Sequence, residues 1–196
     1  MRKILLASAS PRRCALLKQM GVTFQVKTAD ADETIDLKQG DAAFWTVALA
    51  KRKVQKVLEE NPLQEEILLA ADTMVVCAGN ILTKPVSAAD AQAKLRLLSG
   101  RDHEVITGFY LKDLLTQKEY AQAVRTRVFF RTLSEEEIQA YVASGEGADK
   151  AGGYGIQGLG ALLVEKIEGC YFNVVGLPIS AVYQGFQYLG VELLKM

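Results

Sequence analysis

Ile67-Leu68-Leu69-Ala70-Ala71 runs without a break into Asp72-Thr73-Met74-Val75-Val76-Cys77. Five uninterrupted apolar residues predict a short central strand. Asp72 then stands directly after that strand, at its carboxyl end. Residues 74–77, the Gly79-Asn80 turn and the short apolar segment after it predict a hairpin. Upstream, residues 41–59 place Phe44, Val47, Ala48, Val54, Val57 and Leu58 at helical spacing, and Pro62 closes the segment. Further back, residues 4–7 read as a strand. Ser10 is a good N-cap, Pro11 suits the first helical position, and Cys14, Leu16, Leu17 and Met20 form an apolar stripe that Gly21 ends. Residues 23–26 read as a second strand, and the acidic loop Asp30-Ala31-Asp32-Glu33-Thr34 follows.

Downstream, residues 87–98 predict a helix capped by Ser87 and stopped by Gly100. Residues 105–111 and 121–131 predict two antiparallel strands, the second supported by alternation at Val124, Thr126, Val128 and Phe130. Ser134-Glu135-Glu136-Glu137 is a capping box ahead of a helix to about Ala143. A glycine-rich segment, residues 145–160, leads to a strand over 162–167 and a last helix over 178–189. Parallel crossovers and hairpins together give an α/β (mixed α+β) fold with a mixed sheet. With no linker, repeat or low-complexity tract, residues 1–196 read as one domain, with two lobes around one sheet.

Composition narrows the function. Lys plus Arg number 23 and Asp plus Glu 23, so the broad cationic surface of a nucleic-acid or membrane-surface binder is missing. A small anionic ligand needs only a few clustered cations. No apolar run nears the roughly 18 residues of a membrane span. The start of the chain has too short an apolar run for a secretory leader, and Pro11-Arg12-Arg13 interrupts it. Cys14, Cys77 and Cys170 are dispersed and odd in number, which predicts free thiols and a cytoplasmic setting. His103 is the lone histidine, so neither a His-rich zinc site nor a Ser-His-Asp relay is expected. Carboxylates, lysines and arginines must carry any chemistry.

Four segments offer it. In Ser8-Ala9-Ser10-Pro11-Arg12-Arg13 a strand gives way to a helix whose first turn combines free N–H groups, two hydroxyls and two guanidinium groups, a setting that favours phosphate. The same residues also fit a capped helix with two solvated arginines. Asp72, after its strand, suits a base acting on water or a ligand for a divalent ion, and equally a plain strand terminator. Lys53 and Lys84 are candidate cations, the latter with its backbone restricted by Pro85. Asp149-Lys150-Ala151-Gly152-Gly153-Tyr154-Gly155-Ile156-Gln157-Gly158 is neither a Walker loop nor a dinucleotide-binding fingerprint, yet its glycines allow close approach to a ligand.

Together SASPRR, AADT, LTKP, LSGRDHEVITG, DKAGGYGIQG and NVVGLP, in that order from residue 6 to 178, resemble the Maf family. The resemblance implies a two-lobed mixed α/β fold, similar to inosine triphosphatase-like pyrophosphatases, with an elongated mixed sheet flanked by helices and a central cleft. It implies hydrolysis of a nucleoside triphosphate substrate to monophosphate and pyrophosphate, a divalent metal cation (Mg²⁺ or Mn²⁺) and frequent homodimers. Residue by residue, Asp72 matches the family's catalytic base, and Ser8, Arg13, Lys53 and Lys84 match the phosphate site, to which the helix terminus at Ser10 adds substrate-binding N–H groups. Glu33 matches an acidic position that would hold the metal with Asp72. Arg12, Thr73 and Gln157 match positions tied to substrate choice. They carry the identities of the branch acting on dTTP and UTP, where the branch acting on 7-methyl-GTP has Trp, Gln and Glu. Gly147 stands where the family usually has proline, which predicts a looser loop, and Ala48 replaces a common arginine. A non-catalytic nucleotide-binding regulator of septum formation is the alternative from another class.

Overall fold

Ile4–Leu6 (β1) is fully buried and pairs in parallel with Phe24–Val26 (β2) on one side and Ile67–Cys77 (β3) on the other, Ile4 standing opposite both Phe24 and Ile67. The computed structural model describes residues 2–36 and 40–194. Asn80–Leu82 (β4) adds to β3 in antiparallel register. Asp102–Asp113 (β5), Glu119–Phe130 (β6) and Val164–Glu168 (β7) complete a seven-stranded sheet of order β2-β1-β3-β5-β6-β7. β5 and β6 form an antiparallel hairpin: the Asp113 N–H donates to the Lys118 carbonyl (2.9 Å) at one end and Phe130 to Arg101 (3.0 Å) at the other. Flanking helices are Pro11–Gln19 (α1), Ala42–Glu60 (α2), Ala88–Leu98 (α3), Glu135–Ala143 (α4), Tyr171–Val175 (α5) and Ile179–Tyr188 (α6). This is the mixed α/β class that the sequence predicts. No described helix is long and apolar enough to cross a membrane.

The chain divides into two compact units. The first takes residues up to Asp72, Thr107–Val124 and the chain from Gly176; the second takes Thr73–Ile106 and Arg125–Val175. The divisions fall inside β3, β5 and β6.

In the first unit α2 lays Ala50, Val54 and Val57 on a core that includes Leu5, Leu68 and Tyr110. Each large aliphatic side chain so buried contributes ~2 kcal/mol. The helix lies close because Gly108 has no side chain: a Cβ there would sit 2.4 Å from the Thr46 carbonyl carbon and the Val47 nitrogen. One correction concerns the helix face. Phe44 is 52% exposed, and Trp45 is the buried aromatic residue, its indole N–H donating to the Asp36 carbonyl (3.0 Å). The buried positions 42, 45, 46, 49, 50, 54 and 57 follow the helical repeat, and 44 falls off that stripe.

The second unit packs α3, α4 and its strands around Leu95, Leu98, Val128, Phe130 and Ile138. The predicted capping box at Ser134 and Glu137 is formed. Helix α5, which no sequence period announces, is held by Asn173, whose side-chain N–H groups donate to the Val105 carbonyl (2.9 Å) and Thr126 Oγ1 (3.0 Å). Three further corrections arise along β3, β4 and β7. β3 does not stop before Asp72 but continues through it to Cys77. The hairpin turn is Ala78-Gly79, both at positive φ, and Asn80 already pairs with Cys77. The strand predicted from residue 162 begins at Val164, after a 3₁₀ turn over Gly158–Leu163.

Asp113 closes the β5–β6 hairpin. Its fully buried carboxylate accepts Arg2 Nη1 (3.0 Å) and the N–H groups of Leu115 (2.9 Å) and Thr116 (3.1 Å). Burial pushes this carboxyl up, but Arg2 and the turn donors prevail and hold it well below its ordinary 3.8. A lowered folded value means that the stabilisation is present above about pH 4 and fades as the pH falls towards the folded value. Asp113→Asn is therefore expected to cost about 3 kcal/mol in urea unfolding at pH 7, since Arg2 loses its counter-charge. The gap from wild type should narrow below pH 4; a gap that widens there would contradict this assignment.

Candidate active site

Where β1 ends and α1 begins, the first unit gathers cationic and hydroxyl groups. Ser10 caps α1, its Oγ accepting the Arg13 N–H, and Pro11 occupies the first turn as predicted. Ser8 is 7% exposed, and its Oγ accepts both the Ser10 N–H (3.3 Å) and Arg13 Nη1 (3.1 Å). Arg13 Nε donates to the Gly176 carbonyl (2.9 Å). Gly176 belongs to the NVVGLP segment, so that motif braces an arginine of SASPRR. Burial pulls the Arg13 guanidinium below its ordinary value, and the attraction of Asp72 and Glu33 opposes the shift. The solvated-arginine reading thus fails for Arg13. Arg12 is half-buried in the same turn.

Lys53 joins this group from α2. Its Nζ contacts Asp72 Oδ1 at 2.5 Å and Glu33 Oε1 at 2.9 Å. The Lys53 and Asp72 side chains are 16% and 14% exposed, and Glu33 is 58% exposed. The Lys53–Asp72 pair is therefore the costlier one to break. Arg52, which sequence reading passed over, fixes the acidic loop: its Nη1 donates to the carbonyls of Asp32 (3.2 Å) and Thr34 (2.6 Å), on either side of Glu33. The Lys51-Arg52-Lys53 run was the available signal, one arm pinning the loop and the next meeting its carboxylate. Asp72 sits inside β3, so strand pairing, not a loop, sets its position.

Two carboxylates converging on one cation are hard oxygen donors of the type that Mg²⁺ and Mn²⁺ accept. Among the described residues no cluster of three His, Cys, Asp or Glu forms. The donor set fits the implied metal.

Thr73, Lys84 and Gln157 lie in the second unit. Thr73 follows Asp72 along β3 and is likewise half-buried. Lys84 is exposed just beyond β4, and the carbonyl of the preceding Thr83 accepts the Gly152 N–H (3.2 Å), which joins LTKP to DKAGGYGIQG. Gln157 is exposed, with extended backbone (φ −90°, ψ 163°). The looser loop expected from Gly147 is not what the structure has. A Cβ on residue 147 would lie 1.9 Å from the Gly153 carbonyl oxygen, so the glycine lets the two backbones close together. His103, 2% exposed, pairs its Nε2 with Tyr154 Oη at 2.6 Å, and burial pushes the imidazole down to about 4. It is neutral at pH 7 and belongs to the core.

Fold and candidate site together define a class: a mixed α/β protein in which Ser8, Ser10, Arg13 and Lys53 share a unit with the carboxylates of Glu33 and Asp72. Within that class the chain belongs to the Maf family, residues 3–189 matching the family described as Maf-like protein. Similar relatives include the dTTP/UTP pyrophosphatase of Syntrophomonas wolfei, 43% identical over 97% of this chain and 99% of its own. Those of Geotalea uraniireducens (46%, 95% of each chain) and Dictyoglomus thermophilum (45%, 98% and 99%) bear the same name. Among solved structures, a HAM1 protein from Coxiella burnetii is similar over 66% of this chain and 73% of its own, at 17% identity and a TM-score of 0.47.

Proposed function

We propose that this chain is a nucleoside triphosphate pyrophosphatase that hydrolyses dTTP and UTP to the monophosphate and pyrophosphate, and that residues 1–196 act as one catalytic domain. The observation that carries the reading is Lys53 shared between Glu33 and Asp72 in the unit that also holds Ser8, Ser10 and Arg13. Identity of 43% and 46% over nearly the whole chain to proteins named dTTP/UTP pyrophosphatase supports the substrate.

The bond broken is the bridge between the α and β phosphorus atoms. Water supplies the new P–O bond, its proton passes to Asp72, and the bridging oxygen leaves with pyrophosphate. Arg13, with planar donors, and Lys53 and Lys84, as point charges, offset the negative charge of the triphosphate and of the leaving group. Glu33 and Asp72 would hold Mg²⁺ or Mn²⁺, which when bound neutralises phosphate charge and acidifies water. Gln157, donor and acceptor at once, reads the pyrimidine edge, and Arg12 and Thr73 complete the selection. The three free thiols suit a cytoplasmic location, and the homodimer frequent in the family goes with the reading.

Pyrophosphate release with Mg²⁺ or Mn²⁺ across dTTP, UTP, CTP, GTP and 7-methyl-GTP tests this. Fast release from dTTP and UTP is the expected result. Turnover confined to a purine would keep the enzyme and reject the selection by Arg12, Thr73 and Gln157. Tight binding of one nucleotide without turnover would replace the enzyme by a nucleotide-binding regulator.

A further inference from the structure

The segment that carries Gln157 has glycine at 152, 153, 155, 158 and 160, and so little side-chain mass with which to hold itself. Its backbone N–H groups need acceptors from elsewhere. Two side chains near the end of α4 supply them. Glu146 Oε2 accepts the Leu159 N–H (2.9 Å), and Glu146 Oε1 accepts the Gly160 N–H (2.9 Å). Tyr141 Oη accepts the Gly155 N–H (3.1 Å) and donates its own proton to Glu146 Oε1 (3.1 Å). Gln157 is thus bracketed, two residues before and two after, by one connected network. Tyr141 is itself anchored in the hydrophobic core at 5% exposure. Lys150 Nζ bonds the Glu146 carbonyl, fixing the backbone from which the carboxylate projects. Burial pushes the Glu146 carboxyl up, and the donated N–H groups of Gly160 and Leu159, with Tyr141, outweigh it, so the group is ionised and at full acceptor strength.

We propose that Glu146, acting through Tyr141 and the backbone on both sides of Gln157, is the positioning residue for base selection: it sets where the Gln157 amide stands without touching substrate. The proposal rests on the reading of Gln157 as the residue that meets the base.

Glu146→Gln is nearly isosteric but turns one acceptor oxygen into an NH₂ donor that faces a backbone N–H. The ratio of kcat/KM for dTTP over that for GTP should fall ~10-fold. The loss should appear in the KM for dTTP, with kcat held within ~3-fold, as for an interaction made equally in ground and transition states. Tyr141→Phe keeps the core ring and loses the bridging hydroxyl, so it should move the ratio in the same direction by a smaller factor; it carries the test if Glu146→Gln does not fold. In a Gln157→Ala background Glu146→Gln should no longer alter the ratio, a non-additivity that general loosening would not produce. If Gln157→Ala changes the ratio while Glu146→Gln and Tyr141→Phe leave it alone, the positioning role is wrong and the role of Gln157 stands. If Gln157→Ala leaves the ratio unchanged, the role of Gln157 falls and the proposal with it. A fall of equal size in both backgrounds would overturn the proposal by showing that Glu146 acts independently of Gln157.

Discussion

Asp72→Asn is expected to lower kcat for dTTP by about 10²–10⁴ while leaving a folded protein. The substitution keeps the shape of the side chain within β3 and an oxygen that can still accept from Lys53 Nζ. What it removes is the capacity to take a proton from water and one negative charge towards the metal. Folding should cost ~1 kcal/mol, because Lys53 keeps Glu33 as a counter-charge and the hydrogen bond survives in neutral form. The measurement pairs steady-state kinetics with thermal unfolding of the same preparation. Full turnover by a folded Asn variant would remove Asp72 from the reaction.

Arg13→Lys should cost ~10²–10³ in kcat/KM for dTTP although the formal charge is unchanged. Arg13 reaches the Gly176 carbonyl through Nε and Ser8 through Nη1, a fork that a lysine ammonium cannot reproduce. The guanidinium is half-buried, so its interaction with a triphosphate is screened less than that of a surface arginine. The loss should fall on kcat as well as KM, since charge on the leaving pyrophosphate grows in the transition state. Kinetics at two salt concentrations check the origin. A Lys variant within a few-fold of wild type would mean that Arg13 serves α1 and the Gly176 turn instead of substrate.

Much of this was legible from sequence, and the misses have physical causes. Ser10-Pro11 and Ser134–Glu137 announced their helices because caps are local chemistry, and both are formed. Asp72 was read as standing after a strand because the apolar run ends at Ala71, yet β3 runs on because pairing overrides that local signal. Phe44 was counted on the apolar stripe by its spacing, but the buried positions of the helix run through Trp45, one residue on. Helix α5 spans five residues, too few for a period, and exists through the tertiary bonds of Asn173. The candidate site residues were found by spacing and resemblance, but the residues that hold them were not. Arg52 acts on carbonyls 18 and 20 residues away, and Glu146 on N–H groups 13 and 14 residues away. No local motif marks such pairs.

The most direct test of the central claim is ³¹P NMR of dTTP turning over on the purified protein with Mg²⁺. Resonances of dTMP and pyrophosphate should grow together in equal amounts, with neither dTDP nor inorganic phosphate at early times. Accumulation of dTDP with inorganic phosphate would place the cleavage at the outer anhydride and contradict the account.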